Sequence, residues 1–545
     1  MLTRLKVSGF KNLVDVDISF GPVTCIAGVN GVGKSNLFDA ITFLSALAEK
    51  PLREAALSVR DEGGRTTDLR SIFHRVGDTY DDEMSFEAEM IVPPSSIDDL
   101  GQQAIASITF LHYTLKLAYR AGDGVRTGGS IQIVEETLAY IQKGEAKAHL
   151  RFPQKKEWFA SAVLGRRSGK EFISTDVANG TILLHQDRGG KDESGNGQAT
   201  GGSGRPRALA AASLPRTVLS SVNAAESPTA LVARNEMRSW RLLQLEPTAL
   251  RTPDPFTAPI HLGTDGSHLA ATLYHLAESR AREGATREDI EIETARVYAQ
   301  VANRLADLIS DVRDVWVDRD ERRELFTVFL KDRYRTAHAA RSLSDGTLRF
   351  LALTVLELDP DAQGVLCLEE PENGIHPARI PAMLQLLRDF AVDVEEPLAF
   401  DNPLRQVIVN THSPVVVSEI RSEDLLVADL VNRVDDKGKH FKGVTFRWLP
   451  DTWRAVANPS LQKQISRGAL LAYLNVTAPD VSERDEPDES NTAEEHNLVT
   501  DDQEDEEFDS APVLADNAPN RAGKRRVVDH PYLHSLWDLL EQEGA

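Results

Sequence analysis

The eight residues GVNGVGKS, 28–35, constrain this chain more than any other stretch. They match G-x-x-x-x-G-K-[ST] without a mismatch, between the apolar run VTCIA and a helix-period segment from about Ser35 to Ala48. Glycines at 28, 31 and 33 let backbone N–H groups curl round a phosphate where a Cβ would clash. Lys34 supplies charge for β- and γ-phosphates, and Ser35 offers its hydroxyl to Mg²⁺. Asn30 and Asn36, within and just beyond the loop, join the same nucleotide set. A strand, a glycine loop and a helix in this order call for an α/β sheet with a nucleotide at one edge.

Two further apolar runs fit that sheet. VLCLEEPE, 365–372, holds four apolar residues and then two carboxylates, as a buried strand would at its C-terminal edge. Successive strand residues point opposite ways, so Glu369 would sit in the Mg²⁺ shell and Glu370 would polarise an attacking water. Alone, the pair would read as a solvated acidic turn; the phosphate loop changes the reading. QVIVNTHS, 406–413, is the next strand and brings His412 within reach of a γ-phosphate and that water. SLSDGTLRFLAL, 342–353, runs from a polar, glycine-containing turn straight into a helix pattern, the grammar of an anion-binding helix N-terminus.

Elsewhere, residues 2–7, 14–20 and 23–27 read as strands, as do SFEAEMIV, ITFLHYTLKLAY, GSIQIVEETLAYI, VRDVWVD and LFTVFLK. Leu269, Leu273, Leu276 and Ala277 keep helix spacing, and so do Tyr298, Val301, Leu305 and Leu308. Residues 188–206 are glycine-rich and nearly free of apolar side chains, which predicts a surface loop.

The formal charge of −23 is uneven: residues 480–510 carry 15 acids against the single Arg484. Whole-chain charge is therefore a poor guide to any one face. That acidic segment cannot bury enough apolar surface to order itself. Beyond it, Leu533, Leu536, Trp537 and Leu540 form an apolar stripe on a short helix over 530–543. Cys25 and Cys367 are the only cysteines and sit in apolar runs, which excludes a disulfide framework. No apolar run has membrane-spanning length and MLTRLKVSGF lacks a secretory h-region, so the expectation is a cytoplasmic protein without membrane partners.

Taken together, GVNGVGKS, SLSDGT, VLCLEEPE and NTHS resemble the Walker A, signature, Walker B and switch-histidine motifs of an ABC-type ATPase head, and ENGIHP narrows the likeness. The chain resembles the RecF/SMC-like and OLD-type ATPases, bacterial AAA-family proteins of genome maintenance and anti-phage defence. The resemblance covers about residues 1–90 and 315–475. It implies ATP and Mg²⁺ as cofactors and hydrolysis in a homodimer or higher even-numbered oligomer. Ser344 and the N–H groups around Gly346 would then cap the γ-phosphate of the partner copy. The signature departs from LSGGQ, and Glu369 stands where Asp is usual. No Q-loop glutamine is assigned. Lys11, in the FKN turn, reads as a solvated lysine, the other reading being a cation that approaches the phosphates.

The expected organisation is an ATPase head with an inserted α+β region and an acidic C-terminal segment. Residues 1–90 would be the first lobe, 91–314 an insertion and 315–475 the second lobe. An acidic linker, 476–526, and a terminal helix, 527–545, would follow. The residues after His412 contain no convincing E…DxD pattern, so an effector nuclease would be a separate polypeptide, docked partly through the terminal helix; the alternative for that helix is to fold back on its own head. The alternative is a DNA-repair clamp that binds nucleic acid directly, for which the basic run 151–170 is the candidate face. A transporter subunit is disfavoured by the roughly 300 residues between Ser35 and Ser344.

Overall fold

The computed structural model describes residues 1–60, 68–122, 129–187, 205–279, 286–309, 311–434, 438–457, 463–474 and 526–529. Its centre is dictated by three strands with no polar face. Val23–Ala27 and Arg405–Thr411 are buried throughout, and Gly364–Glu369 is buried up to its last residue. Such strands need cover on both sides, which a parallel sheet flanked by helices provides.

The six-stranded sheet runs in the order Arg241–Leu243, Gly364–Glu369, Arg405–Thr411, Val23–Ala27, Leu425–Val434, His440–Arg447. The first five strands are parallel and the last is antiparallel. Alternate side chains feed two cores. Val365 and Cys367 pack with the helix Lys34–Leu47, while Leu366 and Leu368 pack with the helices Asp345–Leu358 and Ile380–Phe390. Because five strands run the same way, their C-terminal ends share one edge. Gly28, Gln244, Glu370 and His412 each follow a strand end on that edge.

A second, antiparallel sheet of eight strands covers the other side of the helix Lys34–Leu47, with Phe43 packed on Phe10 and Phe86. The strands Phe110–Arg120 and Ser130–Tyr140, assigned from sequence to the inserted region, continue this sheet directly from Glu83–Ile91. Residue 90 is thus inside the lobe rather than at its border. A small sheet built from Val312–Asp320 and Leu325–Asp332 leads into the helix Asp345–Leu358. It packs beside the helices Leu269–Ser279 and Arg287–Leu308, the second opened by a Thr286–Asp289 capping box.

The glycine-rich segment apart from its last two residues, the acidic segment apart from Arg526, and the helix expected over 530–543 lie outside the described residues. The described part of the C-terminus, Arg526–Asp529, rests on the helix Pro414–Glu419. Val527 is fully buried, its N–H donates to Ile420 O at 3.0 Å, and Arg526 pairs with Glu419 at 3.4 Å. No described helix is long and apolar enough to cross a membrane.

Candidate nucleotide site

The phosphate loop is shaped by close approach. A Cβ on Gly28 would lie 2.9 Å from Ala428 O, and one on Gly33, whose φ is +103°, would lie 2.1 Å from Asn12 Nδ2. Asn12 braces the turn by donating to Val32 O at 3.2 Å and accepting from Asn36 Nδ2 at 2.9 Å. The helix starts at Lys34 without a side-chain cap, so its first-turn N–H groups form an anion site. Lys34 is buried and donates to Gly28 O at 2.5 Å and Val29 O at 3.0 Å. Burial lowers its pKa, against the opposing pull of Glu370, Glu372 and Glu369.

The two acids at the strand end have different neighbours. Glu369 Oε2 accepts from Arg60 Nη1 at 2.7 Å and Gln244 Nε2 at 2.5 Å, and Asn410 Nδ2 reaches Oε1 at 3.4 Å. Ser35 also donates to this carboxylate. Burial opposes its ionisation, but the bonds from Arg60, Gln244 and Ser35 outweigh that and hold its pKa below the usual range. Ser35 and Glu369, the expected Mg²⁺ ligands, therefore lie side by side, a hydroxyl and a carboxylate of the hard-oxygen kind that Mg²⁺ prefers. They fit the ion.

Glu370 turns the other way. Its backbone is left-handed, with φ +44°, a conformation that costs a non-glycine residue about 1–3 kcal/mol. Its N–H is pinned between Asn410 O and Oδ1, both at 3.1 Å. Its carboxylate joins His412 Nδ1 at 2.7 Å and Asn373 Nδ2 at 2.9 Å. Behind it, Glu372 is buried and accepts from the Thr411 hydroxyl; burial raises its pKa despite that bond.

These groups line a cavity of about 990 Å³ that holds Asn30, Gly31, Gly33, Lys34, Ser35 and Asn36 on one wall and Glu369 and Glu370 on another. His412 meets it through Glu370. Ser344 and Gly346 are not part of this cavity. Ser344 caps its own helix, accepting from Thr347 N at 3.2 Å, and Gly346 packs against Gly374, whose carbonyl would lie 2.8 Å from an added Cβ. Lys11 is not a solvated lysine: it lines the cavity and donates to Asp39 Oδ2 at 2.7 Å and Arg60 O at 2.5 Å.

Four residues of the site carry no sequence assignment of their own: Asn12, Arg60, Gln244 and Asn373. Asn373 lies inside ENGIHP, which gave a signal without a role. Gln244 follows a strand of only three residues, too short for a periodic pattern.

A protein-family model described as "AAA domain, putative AbiEii toxin, Type IV TA system" matches residues 107–418, over half of the chain. A second, described as "AAA domain", matches residues 4–112. The chain is similar to the DNA replication and repair protein RecF of Magnetococcus marinus, 34% identical over 137 residues, covering 23% of this chain and 34% of RecF. RecF of Anaeromyxobacter sp. is 44% identical over 69 residues, covering 12% of this chain and 18% of its own length. The chain thus spans about a third or less of the length of these relatives. Among solved structures, an Smc head bound to the C-winged helix domain of ScpA is 11% identical with a TM-score of 0.40, covering 81% of this chain and 97% of that one. The SMC head domain from Thermotoga maritima is 12% identical with a TM-score of 0.34, covering 82% and 98%.

Proposed function

The chain belongs to the AAA-domain family whose model spans residues 107–418, and on that premise we propose that it is an ABC-type ATPase of the RecF/SMC kind that hydrolyses ATP in sites shared by two copies and uses the cycle to control a separate effector, such as a nuclease in anti-phage defence. The observation that carries the ATPase reading is the position of Glu370: held between His412 and Asn373, on the same sheet edge as the phosphate loop. Ser35 and Glu369 would hold Mg²⁺, which when bound would supply charge neutralisation on the β- and γ-phosphates. The loop N–H groups and Lys34 orient the phosphates. Glu370 polarises the attacking water, and His412 steadies Glu370 and faces the γ-phosphate. Gln244 supplies the glutamine that the sequence left unassigned. Ser344 and the Gly346 N–H serve the partner's nucleotide, a reading supported by their place outside their own chain's cavity.

The C-terminus supports the effector half of the reading. Arg526–Asp529 is seated on Pro414–Glu419, the helix directly after His412. A change at the γ-phosphate that moves His412 would move that helix, and with it the root of the terminal segment. Co-expression with the products of adjacent genes, sized in ATP and in ADP, tests this. A complex that changes with nucleotide is expected, and it should be lost when residues 530–545 are deleted while ATP binding remains.

A DNA-repair clamp is the second reading, favoured by the RecF likeness. Of the six cations in its candidate run, 151–170, two are held in ion pairs. Arg167 bonds Asp187 at 2.8 Å and lies over Phe172, and Lys155 reaches Glu395 at 3.9 Å. On the large sheet, Lys6 pairs with Glu87 and Lys116 with Glu83. Retention on duplex DNA that falls steeply with salt would favour the clamp.

A further inference from the structure

Arg60 lies just beyond the helix Leu52–Ser58 and reaches into the metal side of the nucleotide site with its whole guanidinium. Nε donates to Asp39 Oδ1 at 2.7 Å, Nη1 to Glu369 Oε2 at 2.7 Å and Nη2 to Ser35 O at 3.3 Å. Asp39 is one helical turn past Ser35 and nearly inaccessible, and its other oxygen holds Lys11. Lys11 in turn donates to the backbone carbonyl of Arg60, which fixes where the side chain starts. The arginine is thus tethered at its base and by Nε, while its far end sits on Glu369.

That far end competes for something. Ser35 and Glu369 are the pair read above as the divalent-cation ligands, and the inference rests on that reading. A bound Mg²⁺ needs direct oxygen contact at about 2.0–2.1 Å in a nearly octahedral shell. A guanidinium N–H at 2.7 Å from Oε2, beside the Gln244 amide, uses the lone pairs and the space that such a contact requires. Two cationic groups crowded onto one carboxylate oxygen also repel each other.

We propose that Arg60 and a divalent cation are alternative occupants of Glu369, so that Arg60 is an exchange latch: it holds the metal-binding carboxylate in place, and it yields to the metal that enters with the nucleotide. Asp39 keeps the displaced guanidinium at the margin of the site, where its charge faces the incoming phosphates. The latch raises the metal concentration needed for loading and stops a free divalent cation from settling on Glu369 without a nucleotide.

Mn²⁺, followed by its paramagnetic resonance, tests this on the full chain without relying on turnover. Arg60→Gln retains a polar side chain and loses the charge; Arg60→Ala loses both. Both should bind Mn²⁺ about tenfold more tightly than the unaltered chain, with and without ADP, because a charge-assisted bond no longer competes. Asp39→Asn should tighten Mn²⁺ less, since Arg60 keeps its bond to Glu369. Thermal unfolding of each variant identifies those that keep the fold, and Arg60→Gln is the decisive one if Arg60→Ala does not. Unchanged or weaker Mn²⁺ binding in a folded Arg60→Gln protein, with Glu369→Gln still abolishing it, would overturn the latch and leave the metal site standing. Full Mn²⁺ binding by Glu369→Gln would overturn the metal-site reading, and the latch with it.

Discussion

The phosphate loop and the SLSDGT turn share one grammar, a glycine-containing turn feeding a helix N-terminus, yet the fold finishes them differently. At the first, the N-cap is Gly33, no side chain caps the helix, and a buried lysine lies against the loop. Among the described residues no side chain caps that helix end, which leaves first-turn N–H groups for an outside anion. At the second, Ser344 caps its own helix, Asp345 puts a carboxylate in the first turn, and Arg251 holds Asp345 while donating to Leu343 O at 3.0 Å. A turn that is already capped and already carries an acid has less to offer an anion. On the proposed reading the first turn is the main phosphate receptor, and the second a supplementary one that needs a phosphate presented to it.

The comparison is broken most severely at Lys34. Lys34→Ala should lose nucleotide binding almost entirely, since it removes the loop's own cation, and a fluorescent ATP analogue titrated onto the variant measures this. Near-normal affinity would mean that the first turn is no more a receptor than the second. Glu370→Gln should act on chemistry alone. Binding persists, turnover falls about 10²–10⁴-fold as expected for loss of a general base, and a closed ATP-loaded dimer accumulates on sizing. Turnover near that of the unaltered chain would remove Glu370 from its role.

The division between a cis and a trans turn can be sharpened by mixing. If sites are shared by two copies as proposed, chains carrying Lys34→Ala combined with chains carrying Ser344→Arg would form heterodimers with one doubly damaged and one intact composite site. Equal mixing leaves about a quarter of all sites intact, the statistical expectation for a two-fold dimer. ATPase activity near that fraction is the expected outcome if sites fire singly. No recovery means strict coupling or a Ser344 that works in cis, and crosslinking across the interface separates the two.

The same contrast explains what was legible in the sequence. The phosphate loop, Glu369, Glu370 and His412 could be singled out because each lies at the end of a short, mainly apolar run, and five parallel strands deliver their ends to one edge. The strands 83–91, 110–120 and 130–140 could be read from alternation, but not their joining into one sheet, since pairing is a long-range property that no local pattern encodes. Arg60, Gln244 and Asn12 reach the site from other elements, Arg60 and Gln244 meeting Glu369 across more than a hundred residues of chain. Their residue types are ordinary where they stand. Lys11 misled for the same reason: a lysine in a polar turn reads as solvated until Asp39 is seen opposite it.

The smallest expected effect is the most discriminating, because Ser344 does two things that can be pulled apart. As a cap it satisfies the Thr347 N–H; as a trans ligand it would face the partner's γ-phosphate. Ser344→Ala removes both, and should cost about 1 kcal/mol of stability, the usual value of a lost N-cap. Ser344→Asp keeps the cap, since aspartate serves that position as well as serine, but it adds a negative charge where the γ-phosphate would lie. If the serine only caps, Ser344→Asp should match the unaltered chain in both unfolding and turnover. If it serves the partner's nucleotide, Ser344→Asp should unfold normally and yet turn over more slowly than Ser344→Ala, with ATP-dependent dimerisation weakened. The second result is expected. Stability and turnover falling in step across both variants would reduce SLSDGT to a helix start.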